Sequence, residues 1–259
     1  PCTSARADKS GGCNVARGLR IGHPPFQSFT DAFAYNENPM TSQGGVYQVS
    51  PSDWNTPKVI SGFGATCAVG NSNDYKDAQI LVSATNTWSN RRHYHGVMSV
   101  ASGAYARAAS AGNKEHEIEF IHQGGWGYGG TQTIAHYEIL FGFDGTGYSL
   151  QHARHNGVLG SSFNSPQGFV TAPTEYTAYS SSGVSWNDND IVDAYFDDWR
   201  VAVYWTPVAT GVPVLLYDGE DTDATNRLAL GGRSGFAFFS RDDTNFADFG
   251  WKSFTVSEY

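Results

Sequence analysis

Residues Lys114–Gln123 read KEHEIEFIHQ, and their alternation constrains what this chain can fold into. Glu115, Glu117 and Glu119 fall on one parity; His116, Ile118, Phe120 and His122 fall on the other. A strand, with its period of two, places three carboxylates on one face and an apolar, imidazole-rich set on the opposite face. Strand-like runs recur along the chain: GGVYQVS, TPKVISGFGAT, DAQILVSATN, RRHYHGVMSV, AYARAAS, TIAHYEILFGF, GYSLQHARH, VDAYFDDWRVAVYW, PVLLYDG, GRSGFAFFSR and GWKSFTVSEY. Turn formers separate most of them, at Gly124-Gly125, Gly129-Gly130, Asp144-Gly145 and Asp218-Gly219. The best helix candidate, Ala101–Ala111, is short and carries Gly103.

Many short strands without βαβ spacing predict an all-β, antiparallel two-sheet β-sandwich of the jelly-roll type. No internal repeat is evident, which argues against a propeller. The expected organisation is an irregular N-terminal arm over residues 1–20 and a single domain over 21–259. The Ser-, Thr-, Gly- and Pro-rich segment Ser162–Ser185 reads as a rim loop with room for one strand near Thr174–Tyr179. Hydrophobic residues make up 40% of the 259 residues and aromatics 14%, enough for a sizeable core. Most of those rings are expected in the core, with a minority free to face a sugar.

A formal net charge of −9 argues against nucleic acid, because phosphate binding needs basic clusters and Arg91-Arg92-His93 is too small to be one. No run of about 18 apolar residues exists, so no helical membrane span is expected. Cys2, Cys13 and Cys67 make an odd count. A Cys2–Cys13 bridge would staple the arm and leave Cys67 in or near the core; three free thiols are the alternative. Low lysine content, turn-rich composition and that staple point to an exported, secreted protein, although no N-x-S/T glycosylation acceptor occurs. A monomer is expected.

Three stretches carry a family resemblance. Phe29–Val49 is an aromatic and acidic run leading into a first strand. Gly232–Val256 (GRSGFAFFSRDDTNFADFGWKSFTV) reads as a closing strand pair, and Val201–Gly219 as adjacent strands ending in a D-G turn. In these the chain resembles the concanavalin-like jelly rolls, a superfamily of lectins, glycoside hydrolases and polysaccharide lyases. The resemblance implies a carbohydrate partner, a polysaccharide or oligosaccharide. Some hydrolases of the superfamily set catalytic acids on one concave-sheet strand as E-x-D-x-x-E. This chain offers Glu115-x-Glu117-x-Glu119 and then Ile121 and His122, so the last acid is missing. Another jelly-roll arrangement uses neighbouring strands, which would pair Glu117 or Glu119 with Glu138.

Glycoside hydrolysis needs one carboxyl held protonated and one kept ionised, which two carboxyls sharing a low-dielectric cleft achieve. Glu117, Glu119 and Glu138 are the candidates. Seven of eight histidines lie between Arg91 and His155, as if to line a cleft. A polysaccharide lyase of this superfamily would use a His/Tyr pair with Arg or Gln. Here that means His93 or His136 with a tyrosine such as Tyr137, and Arg92, Gln132 or His95 on the uronate. His155 is a further lining candidate. His93, His95 and His136 form a first guess for a catalytic zinc. In the loop GGWGYGG, Trp126 and Tyr128 would present rings to a sugar. The acidic strand Asp193–Arg200 is placed beside the glutamate strand. No cofactor is required; the acidic turns at Asp218–Asp223 and Asp242-Asp243 are possible sites for structural calcium, with solvated turns the simpler reading. A noncatalytic lectin or surface protein is the third function class.

Overall fold

Alternating sequence becomes two antiparallel sheets packed face to face. A computed structural model of the chain describes residues 27–41, 43–49, 56–69, 78–82, 88–104, 114–123, 133–143, 148–158, 185–225, 227–240 and 248–259. Sheet A has eight strands, in the order β12 (Val214–Glu220), β11 (Arg200–Thr206), β10 (Ile191–Asp197), β6 (Arg91–Val100), β14 (Phe249–Glu258), β4 (Gly64–Val69) and β3 (Thr56–Ile60), with β1 (Ser28–Asp31) also paired to β14. Sheet B has six, in the order β2 (Tyr47–Val49), β5 (Ala78–Val82), β13 (Arg233–Ser240), β7 (Lys114–His122), β8 (Thr133–Phe143) and β9 (Tyr148–Val158). The two-sheet, all-β expectation holds. Among the described residues no helix is long and apolar enough to cross a membrane.

Details depart from the sequence reading for local reasons. TPKVISGFGAT is two strands, β3 and β4, joined by a turn that contains Gly62 at φ 82°. Gly64 follows at φ 117°, and the Trp251 carbonyl occupies the space a Cβ would need, so only glycine fits. VDAYFDDWRVAVYW is the β10–β11 hairpin, turning at Asp198-Trp199, with Asp198 at φ 59°. Asp218-Gly219 is not a turn. It lies inside β12, where Asp218 opposes Ala202 and takes two bonds, each of 2.7 Å, from the Arg200 guanidinium. The closing pair within Gly232–Val256 is β13 and β14, and these strands lie in different sheets. Most of the helix candidate, from residue 105 on, and both Cys2 and Cys13 lie outside the described residues. Cys67 is buried in the core and in no disulfide.

One parity of each strand fills the core between the sheets. Sheet B contributes His116, Ile118 and Phe120 from β7, Tyr137, Ile139 and Phe141 from β8, and Phe236 and Phe238 from β13. Sheet A answers with Tyr94, Ala194, Phe196, Trp251 and Phe254. Phe236 meets Phe254 at 4.7 Å between ring centroids, and Trp251 meets Phe141 edge-on at 6.1 Å. Such pairs hold through burial plus ring geometry worth about 0.5–1.5 kcal/mol each. The Trp251 ring occupies the space above Gly96, which makes that position intolerant of a side chain.

Candidate functional site

The parity that leaves the core puts the glutamates together on the outer face of sheet B. Glu115, Glu117 and Glu119 of β7 alternate with core residues, and His136, Glu138 and Leu140 of β8 do the same. Antiparallel register sets Glu119 directly opposite Glu138, with Gly235 beyond Glu119 and Ala153 beyond Glu138. Two carboxyls therefore stand side by side in a row flanked by small residues. The adjacent row runs Ala237, Glu117, Leu140 and Gln151. The pairing of Glu117 or Glu119 with Glu138 across neighbouring strands is what the structure forms, through Glu119.

This face is nearly closed to solvent: Glu119 is 0% exposed, Glu117 1%, His136 3% and Glu138 7%. His136 Nε2 stands 3.6 Å from Glu138 Oε2. Burial pushes the Glu119 carboxyl well above its ordinary range, and the Glu138 charge across the strand pair pushes it the same way. The Arg233 charge and the Gln79 amide offset part of that shift, without a bond of full hydrogen-bond geometry to either Glu119 oxygen. The site thus favours the acid form of one carboxyl beside a second whose charge it feels. Past Glu119 the strand bulges. Residues Glu119 and His122 pair with Gly235 and Arg233, and Ile121 adopts φ 53°. A β-branched residue in the left-handed region is strained backbone two residues from the acid.

A second cluster forms on the outer face of sheet A. His93 and His95 share a face of β6, as expected, and Asp193 of β10 lies opposite His95. Asp193 Oδ1 bonds His93 Nε2 at 2.7 Å and His95 Nδ1 at 2.9 Å. Tyr195 stacks on His93, with ring centroids 4.3 Å apart and planes 4° from parallel. Partial burial works against Asp193 ionising, but the two imidazoles prevail and hold its carboxyl below the usual range. The Asp193 bond raises His95, against a desolvation penalty.

The remaining expected site residues separate. His136 lies on the outer face of sheet B and His93 and His95 on the outer face of sheet A, so the three cannot share a zinc ion. The Asp193–Arg200 segment borders β6 rather than the glutamate strand, because β10 belongs to sheet A. Arg92 lies in the core, not on a substrate face: its guanidinium donates to the carbonyls of Trp88, Ser89, Gly232 and Arg233 and to Ser234 Oγ. Tyr137 also points into the core, donating to Asp221 Oδ2 at 2.5 Å; burial and that carboxylate raise its pKa. The lyase set of His93, Tyr137 and Arg92 is therefore spread over separate layers. His116 and His152 are core imidazoles, each lowered to about 4 by burial. His155 sits opposite His136 in the β8–β9 register, while Trp126, Tyr128, Gln132 and the Asp242-Asp243 turn lie outside the described residues.

The acidic segment Asp218–Asp223, whose first residues belong to β12, does not fit calcium. Asp218 is paired with Arg200, and Arg154 is paired with both Asp221 and Asp223. Asp221 is buried rather than solvated. Arginine already supplies the positive charge that a cation would bring. Arg233, Gln79 and Asp193 are the neighbours that sequence reasoning did not attach to their sites. Asp193 belongs to the acidic strand read as bordering the glutamates; the other two carry no local signal, since each arrives through strand pairing alone.

No protein-family model matches the chain, and no curated protein matches it. Solved structures do. A basic winged bean lectin with Tn-antigen aligns with a TM-score of 0.50 at 11% identity, covering 90% of this chain and 99% of that one. The metal-free exoplasmic/lumenal domain of VIP36 aligns with a TM-score of 0.51 at 8% identity, covering 90% and 93%. The fold is the concanavalin-like jelly roll, as the three sequence stretches implied. At these identities the likeness is one of fold.

Proposed function

We propose that this protein binds a polysaccharide on the outer face of sheet B and hydrolyses it through Glu119 and Glu138. The observation that carries this is the directly opposed, buried carboxyl pair, in which burial and the Glu138 charge favour the acid form of Glu119. Glu119 donates its proton to the glycosidic oxygen as the bond to the anomeric carbon breaks. Glu138, with His136 beside it, attacks that carbon as a carboxylate. Glu119, now ionised, then takes a proton from the water that releases the sugar. Directly opposed strand residues have Cβ atoms roughly 4.5–5.5 Å apart. A carboxyl separation of about 5–5.5 Å gives retention, the outcome proposed for this pair, and roughly 6.5–9.5 Å gives inversion. The buried pair requires this face to open as the glycan enters. Export and a monomeric state belong to the same proposal.

One observation favours a second reading, glycan binding without turnover. Glu119 exposes no surface, and both solved structures named above share the fold, one of them a winged bean lectin with Tn-antigen. A panel of neutral and uronate-containing polysaccharides separates the readings. New reducing ends without unsaturated-product absorbance, lost in Glu119→Gln and Glu138→Gln, support hydrolysis. Saturable binding with no new ends supports the second reading. Ends with ultraviolet absorbance would refute hydrolysis in favour of elimination.

A further inference from the structure

We propose that His93, His95 and Asp193 form a binding site for one divalent transition metal ion of the zinc class. The site lies on the outer face of sheet A and does not rest on the hydrolase reading. Its ligand atoms, one from each residue, all lie within 4.8 Å of one another. Two come from i,i+2 positions of β6 and the third from the opposed position on β10, so backbone pairing fixes their spacing. The Tyr195 ring lies flat on His93, and Tyr204 and Tyr259 pack edge-on against Tyr195, which holds that imidazole in place. The opposed positions on β14, Thr255 for His95 and Ser257 for His93, are uncharged. The nearby Arg91 is paired with Asp197, so it does not compete for Asp193.

Donor chemistry selects the metal. Two imidazole nitrogens and one carboxylate oxygen suit zinc, nickel or copper; calcium and magnesium prefer all-oxygen shells. At a metal–nitrogen distance of about 2.0–2.1 Å, tetrahedral donors stand roughly 3.3–3.4 Å apart. The present separations of 2.7 and 2.9 Å have to open by about half an ångström, a small rotation of side chains at the sheet surface. Side-chain exposures of 26% for His93, 37% for His95 and 21% for Asp193 leave the ion reachable and its remaining position open.

The test is calorimetric titration of the full chain with Zn(II), with Ca(II) and Mg(II) as comparisons. One saturable Zn(II) site is expected, unaffected by millimolar Ca(II). His93→Gln and His95→Gln should each weaken it by about 100-fold or more, a loss at least as large as that from removing groups that merely orient ligands. Asp193→Asn, which keeps the side-chain shape, gives a second reading, and circular dichroism confirms that each variant is folded. His136→Gln should leave the Zn(II) isotherm unchanged. No saturable Zn(II) uptake, or uptake that survives His93→Gln with His95→Gln, or uptake lost with His136→Gln, would overturn the proposal.

Discussion

Replacing Glu119 with Gln should stabilise the protein, by an amount that grows with pH. Burial and the Glu138 charge raise the Glu119 carboxyl well above its ordinary value of 4.5. The folded state therefore keeps a proton that the unfolded chain releases once pH passes that value. Linkage then fixes the sign: stability is fully present below the unfolded pKa and falls as pH rises toward the folded one. Within that window the loss approaches 1.4 kcal/mol per pH unit for one fully retained proton. Glutamine is neutral at every pH and removes the loss while keeping nearly the same shape. For a domain of this size 1 kcal/mol moves Tm by about 2–4 °C, so the variant-minus-parent difference should climb by roughly 3–6 °C per pH unit above pH 5. Thermal unfolding of both proteins from pH 4 to 8 reads it directly. A difference independent of pH, or a uniform loss of stability in the variant, would refute the reasoning, because either would mean that Glu119 ionises normally.

Other outcomes follow from the same structure. His116 and His152, lowered from 6.5 to about 4, lose stability in the opposite direction, as pH falls from 6.5 to 4, each by roughly 3 kcal/mol over that window; His152→Gln should shift the acid unfolding midpoint downward. Asp190 is fully buried and accepts from Trp205 Nε1 at 2.9 Å and from the backbone of Asn187 and Val208, each at 2.8 Å. Asp190→Ala strands three donors and should cost about 3 kcal/mol or more in urea unfolding. Arg154→Met leaves the buried Asp221 carboxylate unpaired and should cost about 3–5 kcal/mol by the same measurement. Arg92→Met frees carbonyls in the core and should lower stability without altering the glycan dissociation constant of the folded variant, since Arg92 faces no substrate surface.

The sheets were legible in the sequence because period-two alternation is a local property. The IAHYEILFGF run lies within β8, and the Lys114–His122 run is β7 as read. Which sheet each strand joins is not local. VDAYFDDWRVAVYW shows its strands but not that β10 borders β6, so Asp193 was placed beside the glutamates instead of beside His93 and His95. The facing of Glu119 and Glu138 was readable as a possibility from parity, but its register comes from pairing over the whole length of β7 and β8. Arg92 and Tyr137 misled because polar residues read as surface. Carbonyls of other segments satisfy the first, and Asp221 the second, in the interior. Arg233 and Gln79 reach the pair from strands distant in sequence, which no motif announces.

The state of the Glu119–Glu138 pair can be read without knowing the glycan. Protein labelled with carbon-13 at the glutamate side-chain carboxyl is titrated by NMR, with Glu119→Gln used to assign the resonance. One glutamate carboxyl is expected to titrate well above the ordinary glutamate range, to be absent in Glu119→Gln, and to titrate at lower pH in Glu138→Gln. Complete ionisation of every glutamate by pH 6 would contradict it.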